Sequence, residues 1–200
     1  MSEPWIYRVG LAEDEVSREA LEKSGLKFSV VKPREQIVSL AKTFIDVPYK
    51  FGSSVLRDSP HTFDCSSFTA YLYVRAGIAI PRICNDQYHF GKEVSEAEAL
   101  PGDLVFFKSN RTDIAPDIIG HDGLYIGNGK MIHAGGFSMG YGKIVEETIT
   151  ESKYYPTGFK GYWRLIPNES ERFVVEIPDG RLDLRLKENL IKEIEAFAQK

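Results

Sequence analysis

The chain is poor in cysteine. It has two in 200 residues, Cys65 and Cys84, too few for a disulfide framework. One bridge is open to them, but two free thiols suit a reducing compartment better. No dense block of Lys or Arg appears and the formal net charge is −4, which argues against a nucleic-acid partner. The apolar runs are short, too short to span a bilayer. The opening Met1-Ser2-Glu3-Pro4-Trp5 lacks a basic stretch followed by an apolar one, so no signal peptide is visible. A cytoplasmic location is expected if the sequence is complete, and a secreted or wall-associated one if it has been trimmed. Internal repeats and low-complexity tracts are also missing. What is present is ordinary for a globular protein, with 42% hydrophobic and 27% charged residues, and the length suits one domain with a real core.

Pattern divides the chain in three. Residues 1–34 are charged and modestly helical, and they read as an N-terminal helical extension. Residues 35–166 carry the main periodic segments. Pro33 suits a first helical turn, and Ile37, Leu40, Ala41, Phe44 and Ile45 make an apolar stripe that Pro48 stops. Residues 49–64 are loop-like. A second helix is expected from Cys65 to Arg75, with Asp64 or Ser66 as its N-cap and Gly77 as its stop. Pro101-Gly102-Asp103 turns into a buried strand, Leu104 to Phe107, and turn chemistry accounts for Asp103. A polar loop with Pro116 is expected over 108–120. Strands follow over His121–Ile126, Lys130–Ala134, Ile144–Ile149 and Phe159–Ile166. Residues 167–200 add a strand, Phe173 to Ile177, and an amphipathic helix whose Leu190, Ile194 and Phe197 pack on the core. Helices first and strands later indicate an α+β domain with an antiparallel sheet.

The chemistry centres on Cys65. A nucleophilic cysteine needs a lowered pKa, and a helix start beside an imidazole provides it. The same helix start offers backbone N–H groups to an oxyanion. The base would be His121 on one strand, oriented by His133 on its hairpin partner. Geometry constrains this pairing. A two-residue turn at Asn128-Gly129 sets His133 opposite Leu124 and sends the imidazoles to opposite faces. A three-residue Gly127-Asn128-Gly129 loop sets His133 opposite Gly123 and brings both rings to one face, so that loop is expected.

The ordered pieces are Pro48-Tyr49-Lys50-Phe51-Gly52, Phe63-Asp64-Cys65-Ser66, Ile80-Pro81-Arg82 with Gln87, Pro101-Gly102-Asp103-Leu104-Val105-Phe106-Phe107, His121-Asp122-Gly123-Leu124-Tyr125-Ile126-Gly127-Asn128-Gly129 and Met131-Ile132-His133-Ala134. Together they resemble the NlpC-type family of cell-wall cysteine peptidases, over about residues 35–166. The resemblance implies a papain-like fold with Cys65 as nucleophile, His121 as base and His133 as its partner. It implies that Tyr49 lines the cleft, and that Asp64 and Ser66 hold a substrate amine. The implied reaction cuts a peptidoglycan stem peptide after D-γ-glutamate, without a cofactor or metal. Three positions depart from the family pattern. Ser67 and Ser53 replace usual glycines and would narrow the cleft, and Asp122 replaces Val and would raise the pKa of the base.

Blander readings sit beside these. Cys65 alone would be a small core residue, Cys84 is structural or cleft-lining, and His61 and His89 are surface residues. A zinc site of Cys65, His121 and His133 lacks a fourth ligand and paired spacing. Two further functions stay open: an amidase or acyltransferase on the same fold, which a long apolar cleft would favour, and a degenerate wall-binding module, which an inert thiol would favour. Oligomeric state is not legible.

Overall fold

The structure, a computed structural model, describes residues 7–109, 111, 115, 117–166 and 171–198. The opening pentapeptide and Pro116 of the expected 108–120 loop lie outside the described residues. The elements run β1 (Arg8–Ala12), α1 (Arg18–Ser24), β2 (Phe28–Val31), α2 (Pro33–Lys42), α3 (Cys65–Arg75), α4 (Cys84–Phe90), β3 (Lys92–Val94), β4 (Leu104–Lys108), β5 (Ile119–Gly127), β6 (Lys130–Gly135), β7 (Lys143–Thr148), α5 (Tyr155–Gly158), β8 (Phe159–Arg164), β9 (Arg172–Glu176) and α6 (Lys187–Ala198). A six-stranded antiparallel sheet has the order β3-β8-β4-β5-β6-β7. No described helix is long and apolar enough to cross a membrane.

Helix α3 is the centre of the molecule. Its residues Ser66 to Tyr73 are all buried, because α2 covers one side and strands β5 and β6 the other. Phe68, Leu72, Leu104, Phe106, Leu124 and Ile132 share that core. The alternate residues Val105, Phe107, Tyr125 and Met131 form a second apolar cluster on the far face of the sheet, as strand periodicity requires. Helix α2 ends at Lys42, earlier than its apolar stripe implies. The Thr43 hydroxyl turns back onto the Leu40 carbonyl at 2.7 Å, and Asp46 takes a left-handed φ of 73°.

The two flanks differ from the expectation. Residues 7–34 hold one helix, two strands and the start of α2 rather than a helical extension. Strands β1 and β2 both pair with β9 of the C-terminal flank. Helices α1 and α6 pack on each other, and Leu11, Leu21, Phe173, Val175, Leu190 and Ile194 bury a core of their own. The apolar stripe of α6 therefore faces its partner flank, and Phe197 is 36% exposed. Periodicity identified the stripe but not the surface it covers. The flank unit docks on the end of α3 through two glycines. A Cβ on Gly10 would lie 1.9 Å from the Gly77 carbonyl oxygen, so only a bare backbone fits.

Asp103 ties α2 and the six-stranded sheet together. It caps its own turn, accepting from Leu100 N at 2.9 Å. It is also fully buried between two guanidinium groups, Arg34 of α2 at 2.8 Å and Arg164 of β8 at 3.0 Å. Turn chemistry was only half of its role. Removing the carboxylate takes away the buried counter-charge that two guanidinium groups share, so Asp103→Ala should cost about 3–5 kcal/mol in denaturant unfolding. A loss within the usual surface range would contradict this role.

Candidate active site

Asp64 decides where α3 begins. Its Oδ1 accepts from Ser67 N at 2.8 Å, and the Ser67 hydroxyl accepts from Asp64 N at 2.9 Å. This reciprocal capping box makes Cys65 the first helical residue, at the positive end of the helix. Of the two caps open from sequence, Asp64 is the one used. Its Oδ2 pairs with Arg82 at 2.5 Å. Arg82 also donates to the Ser66 hydroxyl at 3.0 Å and to the Ser53 carbonyl. Asp64 and Ser66 thus share one guanidinium. Ser67 and Ser53 do not intrude on the cleft. Both are fully buried, with Ser67 in the cap and Ser53 bonded to the Thr62 carbonyl at 2.9 Å.

The two histidines meet by a route other than the expected loop. The turn is the two-residue Asn128-Gly129, with Gly127 opposite Lys130 and positive φ at both central residues. A bulge between Tyr125 and Gly127 then shifts the register, so that Leu124 faces Ile132. Continued one step, this register sets Gly123 opposite His133, as the site requires. A Cβ on Gly123 would lie 3.2 Å from the His133 Cβ and 2.9 Å from the Met131 sulfur. The glycine therefore leaves room for the ring. His121 Nε2 lies 2.8 Å from His133 Nδ1.

The chain of contacts continues to residues that sequence patterning missed. His133 Nε2 lies 2.8 Å from Glu147 Oε1, and Tyr141 donates to the same carboxylate at 2.9 Å. Val145 is the β7 partner of His133, so Glu147 is its diagonal neighbour on the same face. Tyr154 stacks flat on His121, with ring centroids 3.5 Å apart, and its hydroxyl accepts from Gly136 N at 3.0 Å. Tyr49 is half-buried and meets Phe137 edge to face. Burial first, with Cys65 adding to it, raises both the Tyr49 and the Tyr154 hydroxyl, so Cys65 and His121 share Tyr154 as a neighbour.

The electrostatics invert one expectation. The Cys84 sulfur, burial and the Asp122 charge push the Cys65 thiol well above its ordinary value, outweighing the helix dipole. Burial, then His133, holds His121 well below the usual imidazole range. At neutral pH the pair is a thiol and a neutral imidazole. Asp122 does not raise the base, because adjacent strand residues point to opposite faces. Its carboxylate instead meets Thr69 at 2.7 Å and is pushed up to about 7 by burial. Burial alone would raise Glu147, but hydrogen bonds, the one from His133 foremost, hold it below the carboxylate range.

Residues 46–159 match the family model described as NlpC/P60 family. Over 98 residues the chain is 42% identical to a "Probable endopeptidase p60" of Listeria seeligeri, covering 49% of this chain and 17% of that protein. Over 101 residues it is 40% identical to a "Gamma-DL-glutamyl hydrolase" of Bacillus subtilis, covering 50% of this chain and 23% of that one. The chain thus spans less than a quarter of either relative. A solved NLP/P60 structure from Staphylococcus aureus, described as similar to lipoprotein, superposes with a TM-score of 0.57 at 30% identity, over 72% of this chain and 45% of that one.

The raised thiol yields a measurable pH dependence. A nearby anion disfavours a thiolate, so neutralising it must lower the thiol pKa. Iodoacetamide labelling of Cys65, followed by peptide mass against pH, should show an inflection above the ordinary cysteine value. Asp122→Asn should move it down by about one unit, roughly tenfold in thiolate at a fixed pH below both inflections. An inflection that stays in place would remove Asp122 from the thiol's surroundings.

Proposed function

The chain belongs to the NlpC/P60 family, and from this premise we propose that it is a cysteine peptidase acting on peptidoglycan stem peptides. The bond proposed is the one between D-γ-glutamate and the diamino acid that follows. The hydrogen-bonded Glu147–His133–His121 chain, with Tyr154 as a shared neighbour of His121 and Cys65, carries this reading. The likeness to a gamma-DL-glutamyl hydrolase supports the choice of bond.

The chain assigns its own protons. An ionised Glu147 can only accept, so His133 Nε2–H donates to it. His133 Nδ1 is then a lone pair and accepts from His121 Nε2–H. That leaves His121 Nδ1 as the basic nitrogen. The Cys65 thiol turns from Cys84 and Asp122, passes its proton to Nδ1, and its sulfur attacks the γ-glutamyl carbonyl. Because both groups rest neutral, the proton moves with the attack and not before it. The first-turn N–H groups of α3 and the Tyr49 hydroxyl receive the oxyanion. His121 returns the proton to the leaving amine, and the acyl group stays on sulfur as a thioester. A water deprotonated by His121 then releases the acid and restores the thiol. Asp64 and Ser66 are the proposed amine-binding pair, and an incoming ammonium would exchange with Arg82.

An L-Ala-γ-D-Glu-diamino acid tripeptide tests the reaction. Wild type should release the free diamino acid and Cys65→Ala should not, whereas equal release from both would sink the mechanism. Glu147 is a positioning residue. Glu147→Ala should lower kcat about a hundredfold with KM little changed, and Glu147→Gln, which keeps an acceptor oxygen, should recover most of the loss. A fall in KM-linked binding alone would speak against the proton assignment.

A further inference from the structure

The Cys65 sulfur is not turned toward open solvent. It belongs to a tight group with the Cys84 sulfur and an Asp122 carboxylate oxygen, all within 4.8 Å of one another. The group brings together two thiols and a buried carboxyl from three elements, α3, α4 and β5. Its weak point is Asp122. One oxygen is satisfied by Thr69 at 2.7 Å, but Oδ1 is buried with no N–H or O–H donor among the described residues, its polar neighbours being thiols. A buried carboxylate oxygen without a donor is costly and calls for an explanation.

We propose that Cys65, Cys84 and Asp122 form a binding site for a thiophilic divalent cation, with zinc as the physiological candidate, which seats on the nucleophile and switches the enzyme off. The donor set suits that class of ion. Two thiolates and a carboxylate are common zinc ligands, and three protein ligands leave a fourth position for water. Tetrahedral zinc with Zn–S bonds of about 2.3 Å places two sulfurs about 3.8 Å apart, so small side-chain adjustments would complete the site. Cys65 is partly exposed while Cys84 is buried, so the ion would enter from the cleft and rest on its floor. The cation would take the place of the protons that these groups otherwise hold. A disulfide between the two sulfurs would leave Asp122 Oδ1 as unsatisfied as before, whereas a cation occupies all three ligands. The zinc set considered from sequence is a different one. His133 spends both ring nitrogens on His121 and Glu147.

Only the inhibitory consequence rests on the peptidase reading; the binding does not. The reduced, metal-stripped full chain would be titrated with cadmium, reading the ultraviolet cadmium–thiolate charge-transfer band. The expected result is saturation at one equivalent with the intensity of two thiolates, and competitive displacement by zinc. Cys84→Ser should halve the band and weaken binding roughly tenfold or more, and Asp122→Asn should keep the band while weakening binding similarly. On the tripeptide, zinc should inhibit wild type and a chelator should restore it. Cys84→Ser should stay active and need roughly tenfold more zinc. Absence of a saturable band in wild type, or a band unchanged in Cys84→Ser, overturns the site. A protein that cleaves the tripeptide without binding cadmium counts against this inference alone. One that binds as described without cleaving counts against the peptidase reading alone.

Discussion

The hydrogen bond between His121 and His133 depends on a register correct to one residue. Strand side chains alternate faces, so a slip of one would place one imidazole with α3 and the other with the far-side cluster. The molecule achieves the register with two features acting in opposition. A tight Asn128-Gly129 turn alone gives the wrong pairing, and the bulge before Gly127 restores it. Gly123 then completes the arrangement by having no side chain where His133 must pass. The lateral strand β7 adds Glu147 to the same face. Four features of a single antiparallel meander thus set the contacts of the two rings.

The surroundings of Cys65 show a balance between structure and reactivity. Asp64 must sit before the helix to cap it, and Asp122 must follow His121 in its strand. Both bring negative charge toward the sulfur. Arg82 offsets part of it by pairing with Asp64, but Asp122 accepts a hydrogen bond from Thr69 and has no ion pair among the described residues. The resting thiol is therefore protonated. Reactivity must come from a change in what the sulfur faces, either by rotation toward the imidazole or by arrival of a substrate that displaces the acidic side of the cleft. A neutral imidazole, kept so by burial, is the partner suited to that step, since an imidazolium could not accept the proton.

Much of this was legible in the residue pattern, for local reasons. The bounds of α3 follow from Asp64 before it and Gly77 after it, both short-range signals. The strands from Leu104 to Ile166 follow from alternation and turn residues, and the shared face of His121 and His133 follows from counting along one hairpin. The bulge was not legible, because nothing in Tyr125-Ile126-Gly127 distinguishes a longer loop from a shorter turn plus an extra residue. Glu147 and Tyr154 were missed because the connection from β6 to β7 is long, and its length does not determine register. The pairing of the two flanks was missed for a related reason. Strand β9 lies more than 140 residues from β2 in the chain, and no local preference identifies such a partner. The position of Asp122 was misread by one step, since its effect was assigned to its neighbour in sequence and not to the helix its face covers.

Asp64 shows how a structural role and the proposed amine-binding role would occupy the same atoms. One oxygen holds the helix start and the other holds Arg82. Arg82 in turn joins the Ser53 loop, the α3 first turn and the segment before α4. A ligand ammonium competing for Asp64 would compete with a guanidinium already held by three acceptors, so amine recognition there is an exchange and not a simple capture. Such an exchange favours a ligand that also supplies an acceptor for the displaced Arg82, and the proposed stem peptide carries carboxylates that would meet this need. The neighbouring capping oxygen is unaffected by the exchange, so the helix start and the position of Cys65 persist while the partner of Asp64 changes.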